Sequence, residues 1–253
     1  MFEVIPHIAL FLILAAFVAG FVDSIAGGGG LITVPALLLA GASPLETLAT
    51  NKLQGSFGSG TAMITYARAG HVRLRDQWLM ALTSAFAAAL GALVAHLLPM
   101  QLLRVIMPIV LVAVALFFAL KPGLTDQDSA QRISRPLFTA TFVPLIAAYD
   151  GFFGPGTGSF FMLGFVMLAG YGLLRATAHT KLLNFASNIG SFAVFVWSGA
   201  VWWGIGIAMG LAQMAGASLG ARLAMRVGSG LIKPLIVITS TAMAARLLWQ
   251  IFA

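Results

Sequence analysis

The chain is a succession of apolar runs, each close to the length a helix needs to cross a bilayer. Ten can be marked, at 5–22, 25–42, 48–67, 78–98, 102–120, 136–149, 152–170, 180–198, 200–221 and 231–250. At 1.5 Å per residue, about 20 residues span the hydrocarbon layer. Several runs are short or interrupted by Gly and Pro and read equally well as half-helices, so eight transmembrane helices fit the pattern as well as ten. Composition argues against a soluble bundle. The chain is 60% hydrophobic and 8% charged, against roughly 25% charged in ordinary soluble domains. The expected fold is an all-α polytopic membrane protein, multi-pass, with the lipid bilayer as its main surroundings.

The net charge of +7 does not point to nucleic acid, because the basic residues are dispersed and fall at the ends of apolar runs. Topology explains them better: Lys and Arg accumulate on the cytoplasmic side. The basic loop "RAGHVRLRD" (68–76) and the polar link "KPGLTDQDSAQRISR" (121–135) are two crossings apart, so both can face inward. Arg175, Arg222 and Arg226 then also fall inside, the uncharged link near Gly199 falls outside, and both termini face outward. Arg104 and Arg246 lie in or near apolar runs and would have to snorkel. Trp197, Trp202 and Trp203 gather at the presumed outer end of the eighth run, as in an interfacial aromatic belt. There is no cysteine, the four histidines are scattered and no GxxxxGK[ST] phosphate loop occurs. No metal or cofactor is expected, and any energy for transport comes from gradients or a separate partner.

The link at 121–135 divides the chain into similar halves, 1–120 and 136–253. "ATNKLQGSFGSGTA" (49–62) aligns with "AHTKLLNFASNIGS" (178–191) at an offset of 129, pairing Lys52 with Lys181. Gly70 pairs with Gly199 and Gly91 with Gly220 at the same offset. "VDSIAGGGG" (22–30) aligns with "YDGFFGPGT" (149–157) at an offset of 127, pairing Asp23 with Asp150. Five crossings per half would invert one half relative to the other, which is a common plan of secondary transporters. The competing explanation is chance likeness between Gly/Ala-rich apolar strings.

Four consecutive glycines, Gly27, Gly28, Gly29 and Gly30, interrupt the second run. A broken helix in hydrocarbon leaves backbone groups unmet at several kcal/mol each, and is tolerated where protein or a ligand meets them. A short helix restarting at "LITVPALLLAGA" would turn its partially positive amide end toward an anion. "GPGTGSF" (154–160), with Gly154, Pro155, Gly156, Thr157 and Ser159, repeats the device. The two breaks together predict a site for a small anion. Close helix packing through small residues is the alternative.

Lys52 and Lys181 lie within or near the apolar runs, where a charge costs at least about 2.5–3.5 kcal/mol. They would either contact the anion or pair with Asp23 and Asp150 as structural glue. Those aspartates would cap the short helices that follow or carry a coupling proton; His179 is a further proton-coupling candidate. Asn51 and Gln54 flank Lys52, and Asn184 and Asn188 share a helical face with Lys181, so all four are expected to line a cavity. Asp23 and Asp150 could imitate an aspartyl dyad, but their glycine-rich flanks read as helix breaks, and no enzyme activity is expected.

"GFVDSIAGGGGLITVPALLLAG" (20–41), "ATNKLQGSFGSGTA", "DGFFGPGTGSFF" (150–161) and "AHTKLLNFASNIGS" resemble the TauE/SafE sulfite exporter family over nearly the whole chain. The resemblance implies a polytopic fold with duplicated halves and seven or eight helices, and movement of sulfite, sulfoacetate or related organosulfur anions. By carry-over it marks Gly27–Gly30, Asn51, Lys52, Gly154, Pro155, Gly156, Lys181, Asn184 and Asn188. Thr180 departs from the pattern, standing where the first half has Asn51. The combined expectation is a secondary transporter of the bacterial inner membrane that exports a small anion by alternating access, with proton coupling through Asp23, Asp150 or His179. An anion channel and a carrier of small carboxylates are the alternatives. The oligomeric state is not legible.

Overall fold

A computed structural model describes residues 3–106, 109–110, 113 and 127–228, and these are helical with no strand among them. The predicted segment 231–250, most of 102–120, the start of the 121–135 link and Arg246 lie outside the described residues.

Helix α1 (Pro6–Ala26) opens with proline in its first turn, where the missing amide costs nothing, and ends at Gly27, which takes φ +82°. The short α2 (Gly30–Leu39) follows after three residues. Helix α3 (Pro44–Arg68) starts at a capping box. The Ser43 amide donates to Glu46 Oε2 at 2.7 Å and the Glu46 amide donates to Ser43 Oγ at 3.4 Å. A 3-10 turn, Leu74–Gln77, leads into α4 (Trp78–Leu97). In the second half a helical turn, Arg135–Leu137, and a π-helical turn, Phe138–Phe142, lead into α5 (Val143–Phe152). Then come α6 (Thr157–Met167), α7 (Leu173–Val196) and α8 (Trp203–Val227).

The packing has a pseudo-symmetric order. Helices α3 and α7 cross at the centre; α8 lies on α3 and α4 on α7; α1 lies on α8 and α5 on α4. Exchanging α1 with α5, α2 with α6, α3 with α7 and α4 with α8 maps this set of neighbours onto itself. Two glycines show the correspondence at the level of atoms. A Cβ on Gly91 would strike the Ala148 carbonyl of α5, and one on Gly220 would strike the Phe21 carbonyl of α1. Each helix pair therefore meets backbone to backbone through a small residue, as membrane helices do.

Three helical stretches among the described residues are long and apolar enough to cross a membrane: Pro6–Ala26, Leu74–Leu97 and Trp203–Val227. Their exposed sides are apolar, with Leu10, Leu14 and Val18 on α1 and Leu82, Phe86 and Leu90 on α4. Helices α3 and α7, with 25 and 24 residues, are as long but less apolar, because their buried face carries Thr, Asn, Lys, Gln and Ser. This inside-out arrangement, with polar side chains inward and Ile64 and Ile189 outward, explains why the apolar run at 180–198 begins seven residues after the true start of α7. The predicted segments 25–42 and 152–170 also shorten, since their glycine-rich ends are loop and not helix.

Candidate functional site

The two helix breaks meet at the centre of the molecule. The Ser159 amide donates to the Gly27 carbonyl at 3.0 Å, and Ser159 Oγ donates to the Ala26 carbonyl at 2.6 Å. Gly27 and Gly158 lie so close that a Cβ on Gly158 would stand 2.7 Å from the Gly27 Cα. Gly27, Gly154 and Gly156 all take positive φ, +82°, +97° and +84°, which glycine alone adopts without strain. The second break is held further by Tyr149, whose hydroxyl donates to the Pro155 carbonyl at 2.6 Å. Tyr66 similarly donates to the Ser24 carbonyl at 3.0 Å, just before the first break.

Between the breaks lies a cavity of about 30 Å³. Gly27, Gly29 and Gly30 line it from the first break, Gly154, Gly156, Thr157 and Gly158 from the second. Helix α3 contributes Asn51, Gln54 and Gly55, and α7 contributes Asn184 and Asn188. The amides of Gly30 and Gly158, in the first turns of α2 and α6, make no hydrogen bond to another described residue. First-turn amides of a helix have no partner within the helix, and both of these glycines border the cavity. The polar side chains around it are partly tied to each other. Asn51 Oδ1 accepts from Thr33 Oγ1 at 2.6 Å and from Gln54 Nε2 at 2.7 Å. Asn188 Nδ2 donates to the Asn184 carbonyl at 2.8 Å. The bonds to Asn51 Oδ1 fix the orientation of that side chain, and Asn51 and Asn184 both line the cavity.

Lys52 and Lys181 are fully buried and do not line the cavity. Each is paired with the aspartate of the opposite half. Lys52 Nζ lies 2.8 Å from Asp150 Oδ1, with side chains 1% and 3% exposed. Lys181 Nζ lies 3.4 Å from Asp23 Oδ2 and also donates to the Asp23 main-chain carbonyl. Both aspartates border the cavity, so the lysine charges reach it only through their partners. The two aspartates differ in their second oxygen. Asp23 Oδ1 accepts the Gly29 amide at 3.2 Å, one residue ahead of α2, which itself has no side-chain cap. Asp150 accepts no such amide, and its Oδ2 is buried without a hydrogen-bond partner. Gly28 adjoins the first break without lining the cavity. His179 lies away from it, against the rings of Tyr171 and Phe165 at 4.8 and 5.6 Å.

Three residues that line the cavity, Gly55, Gly158 and Gln213, were not singled out in the sequence reading, and of these Gln213 brings a polar side chain. Gln213, on α8, is 3% exposed and lines the cavity, and its Oε1 has no hydrogen-bond partner. It is a lone amide inside an otherwise apolar run, and that isolation is the signal that could have found it.

Residues 12–247 match the family model described as sulfite exporter TauE/SafE. The chain belongs to the TauE/SafE family. It is 60% identical to "Probable membrane transporter protein ORF9" of a Sinorhizobium species, over 96% of this chain and 93% of that one. It is 44% identical to "Probable membrane transporter protein YfcA" of Escherichia coli K12, over 99% and 93% of the two chains. A "Probable membrane transporter protein" of Haemophilus influenzae Rd is 42% identical, over 92% of each chain. No solved structure matches. Within this TauE/SafE protein the helix breaks, the crossed ion pairs and the cavity all lie on the interface between the two halves.

Proposed function

We propose that this protein is a secondary transporter that exports a small anion such as sulfite or a short organosulfonate, working by alternating access between two inverted halves in the bacterial inner membrane. The observation that carries the reading is the pair of glycines, Gly30 and Gly158, in the first turns of two short helices, whose amides are unbonded among the described residues and which border one cavity. Such ends carry partial positive charge and bind anions without net charge. The relatives named as membrane transporters support the class, and the family description supports sulfite and the outward direction.

The four ionisable groups of the crossed pairs sum to zero while both pairs are intact, so the net charge of an occupied cavity is that of its anion. Outward movement of an anion alone is favoured by an inside-negative potential, at about 2.3 kcal/mol per charge per 100 mV. The relaxed alternative is a passive anion pathway.

Purified protein in liposomes loaded with unlabelled sulfite or sulfoacetate tests the reading. Saturable uptake of the labelled anion, stimulated by the same anion on the far side, establishes a carrier. Flux without such stimulation favours a channel, and no flux of either anion removes the sulfur assignment.

A further inference from the structure

A second cleft lies away from the central cavity, where the chain turns after α3 and where α5 and α7 begin. It measures about 280 Å³. Three arginines distant in sequence converge on it: Arg73 from the loop after α3, Arg135 from the turn before α5, and Arg175 from the first turn of α7. Two of them are held in place. The Arg135 guanidinium donates to the Asp76 main-chain carbonyl. Arg175 lies 4.0 Å over the Tyr171 ring and 3.0 Å from Asp128 Oδ2. Asp128 is itself fixed by accepting the Gly172 amide at 2.5 Å.

The charges do not cancel. Among the described residues, Asp76 is the one carboxylate lining the cleft and Asp128 pairs with Arg175 from beside it, so three described guanidinium groups face two described carboxylates. Arg73 and Arg135 form no ion pair among the described residues. His179 closes the inner wall, with a buried Nδ1 that lacks a hydrogen-bond partner. The corresponding loop of the other half differs in sign. Glu46 stands where the 129-residue offset places Arg175, and the cleft beside it holds Glu46 and Arg104, one charge of each kind. A general inward bias of basic residues would scatter solvated arginines over one face. It would not gather three from separate segments around one concavity and brace two of them.

We infer that this cleft is an oxyanion-binding site, recognising a sulfur oxyanion or a phosphate through the planar donor forks of Arg73, Arg135 and Arg175. Guanidinium groups suit that geometry better than ammonium groups do. Two sources supply the chemistry, a free anion on its way to the central cavity and the headgroup of an anionic lipid. The role as a capture station for substrate rests on the proposed transport function; binding itself does not.

Binding is therefore measured without transport, on the detergent-purified chain. Sulfite and sulfate affinities are read by thermal shift, and retained phosphatidylglycerol is read by native mass spectrometry. Removing charge-assisted hydrogen bonds in the triple variant Arg73→Gln/Arg135→Gln/Arg175→Gln is expected to weaken oxyanion binding at least about tenfold, whereas Arg104→Gln, in the cleft of the other half, leaves that affinity in place. Loss confined to sulfite and sulfate identifies the free anion; loss confined to phosphatidylglycerol adducts identifies the lipid. Unchanged affinity for both probes in the triple variant overturns the site. If the triple variant does not fold, Arg175→Lys and Arg135→Lys decide, because they keep charge but lose the fork: weaker binding supports the site and unchanged binding overturns it. Central-site failure leaves a distinct signature, intact oxyanion binding with no flux.

Discussion

Lys52 and Asp150 show how a buried charge is made tolerable. With side chains 1% and 3% exposed, both charges are shielded from water and each is met by the other, 2.8 Å apart between Nζ and Oδ1. Removing one partner of a buried pair typically costs about 3–5 kcal/mol, while replacing both by apolar groups of similar size is often neutral. Lys52→Met is therefore expected to lower the melting temperature in detergent steeply, and Lys52→Met/Asp150→Leu to recover most of it. Flux in the recovered double variant separates the two roles the sequence allowed. Stable protein without flux means the pair serves transport; stable protein with flux means it only holds the halves together. The Asp23–Lys181 pair is a less clean test, since Asp23 also accepts the Gly29 amide and its carbonyl accepts from Lys181. Among the cavity side chains, Asn184→Ala and Gln213→Ala remove amides not needed to hold a helix. Each is expected to reduce sulfite flux about tenfold with little loss of thermal stability, as for one hydrogen bond to a charged ligand. Reduced melting temperature in step with flux would instead mark both as packing residues.

At the scale of elements, the breaks explain the glycines. Gly27 is needed twice, for its φ of +82° and for the approach of Gly158 and Ser159. Gly41 also has positive φ, +93°, but a Cβ there would meet nothing within 4 Å. Gly41→Ala should cost only the left-handed backbone penalty, about 1–2 kcal/mol. Gly27→Ala adds overpacking to that and should cost about 3–5 kcal/mol. Comparing the two by thermal unfolding isolates the contact between the breaks; equal losses would mean that the contact contributes nothing. The breaks themselves were readable, because glycine runs inside apolar sequence have few physical excuses. So were Asn51, Gln54, Asn184 and Asn188, because polar residues recurring on one face of a membrane helix need a cavity. The crossed pairing was not. Sequence spacing places Asp23 near Lys52 and Asp150 near Lys181, and only the antiparallel crossing of α3 and α7 sends each lysine to the other half. Gln213 was missed for a related reason. It has no buried polar companion among the described residues of α8, and its relation to the cavity depends on how α8 lies along α3.

For the whole molecule, the exchange of neighbours between halves makes a claim about sidedness. If the halves are inverted, equivalent ends must open on opposite faces of the membrane. The C-terminal ends of α3 and α7 are such a pair, closing at Gly70 and Gly199 with φ of +82° and +68°. The chain contains no cysteine, so single substitutions report without background. Ala69→Cys and Ser198→Cys place a thiol beside each glycine without disturbing its positive φ. In intact cells a membrane-impermeant maleimide is expected to label Ser198→Cys and leave Ala69→Cys unlabelled until the membrane is opened. That result would put the arginine cleft beside Gly70 on the cytoplasmic face, where it can draw anions from the cell interior. It would also put the Glu46 loop, at the opposite end of α3, on the outer face. An anion leaving the central cavity would then meet a surface with no comparable cluster of arginines to hold it. Labelling of both thiols from one side would overturn the inverted arrangement, and with it alternating access between equivalent halves. The central cavity and its amides would stand, but their two short helices would have to be approached from the same side.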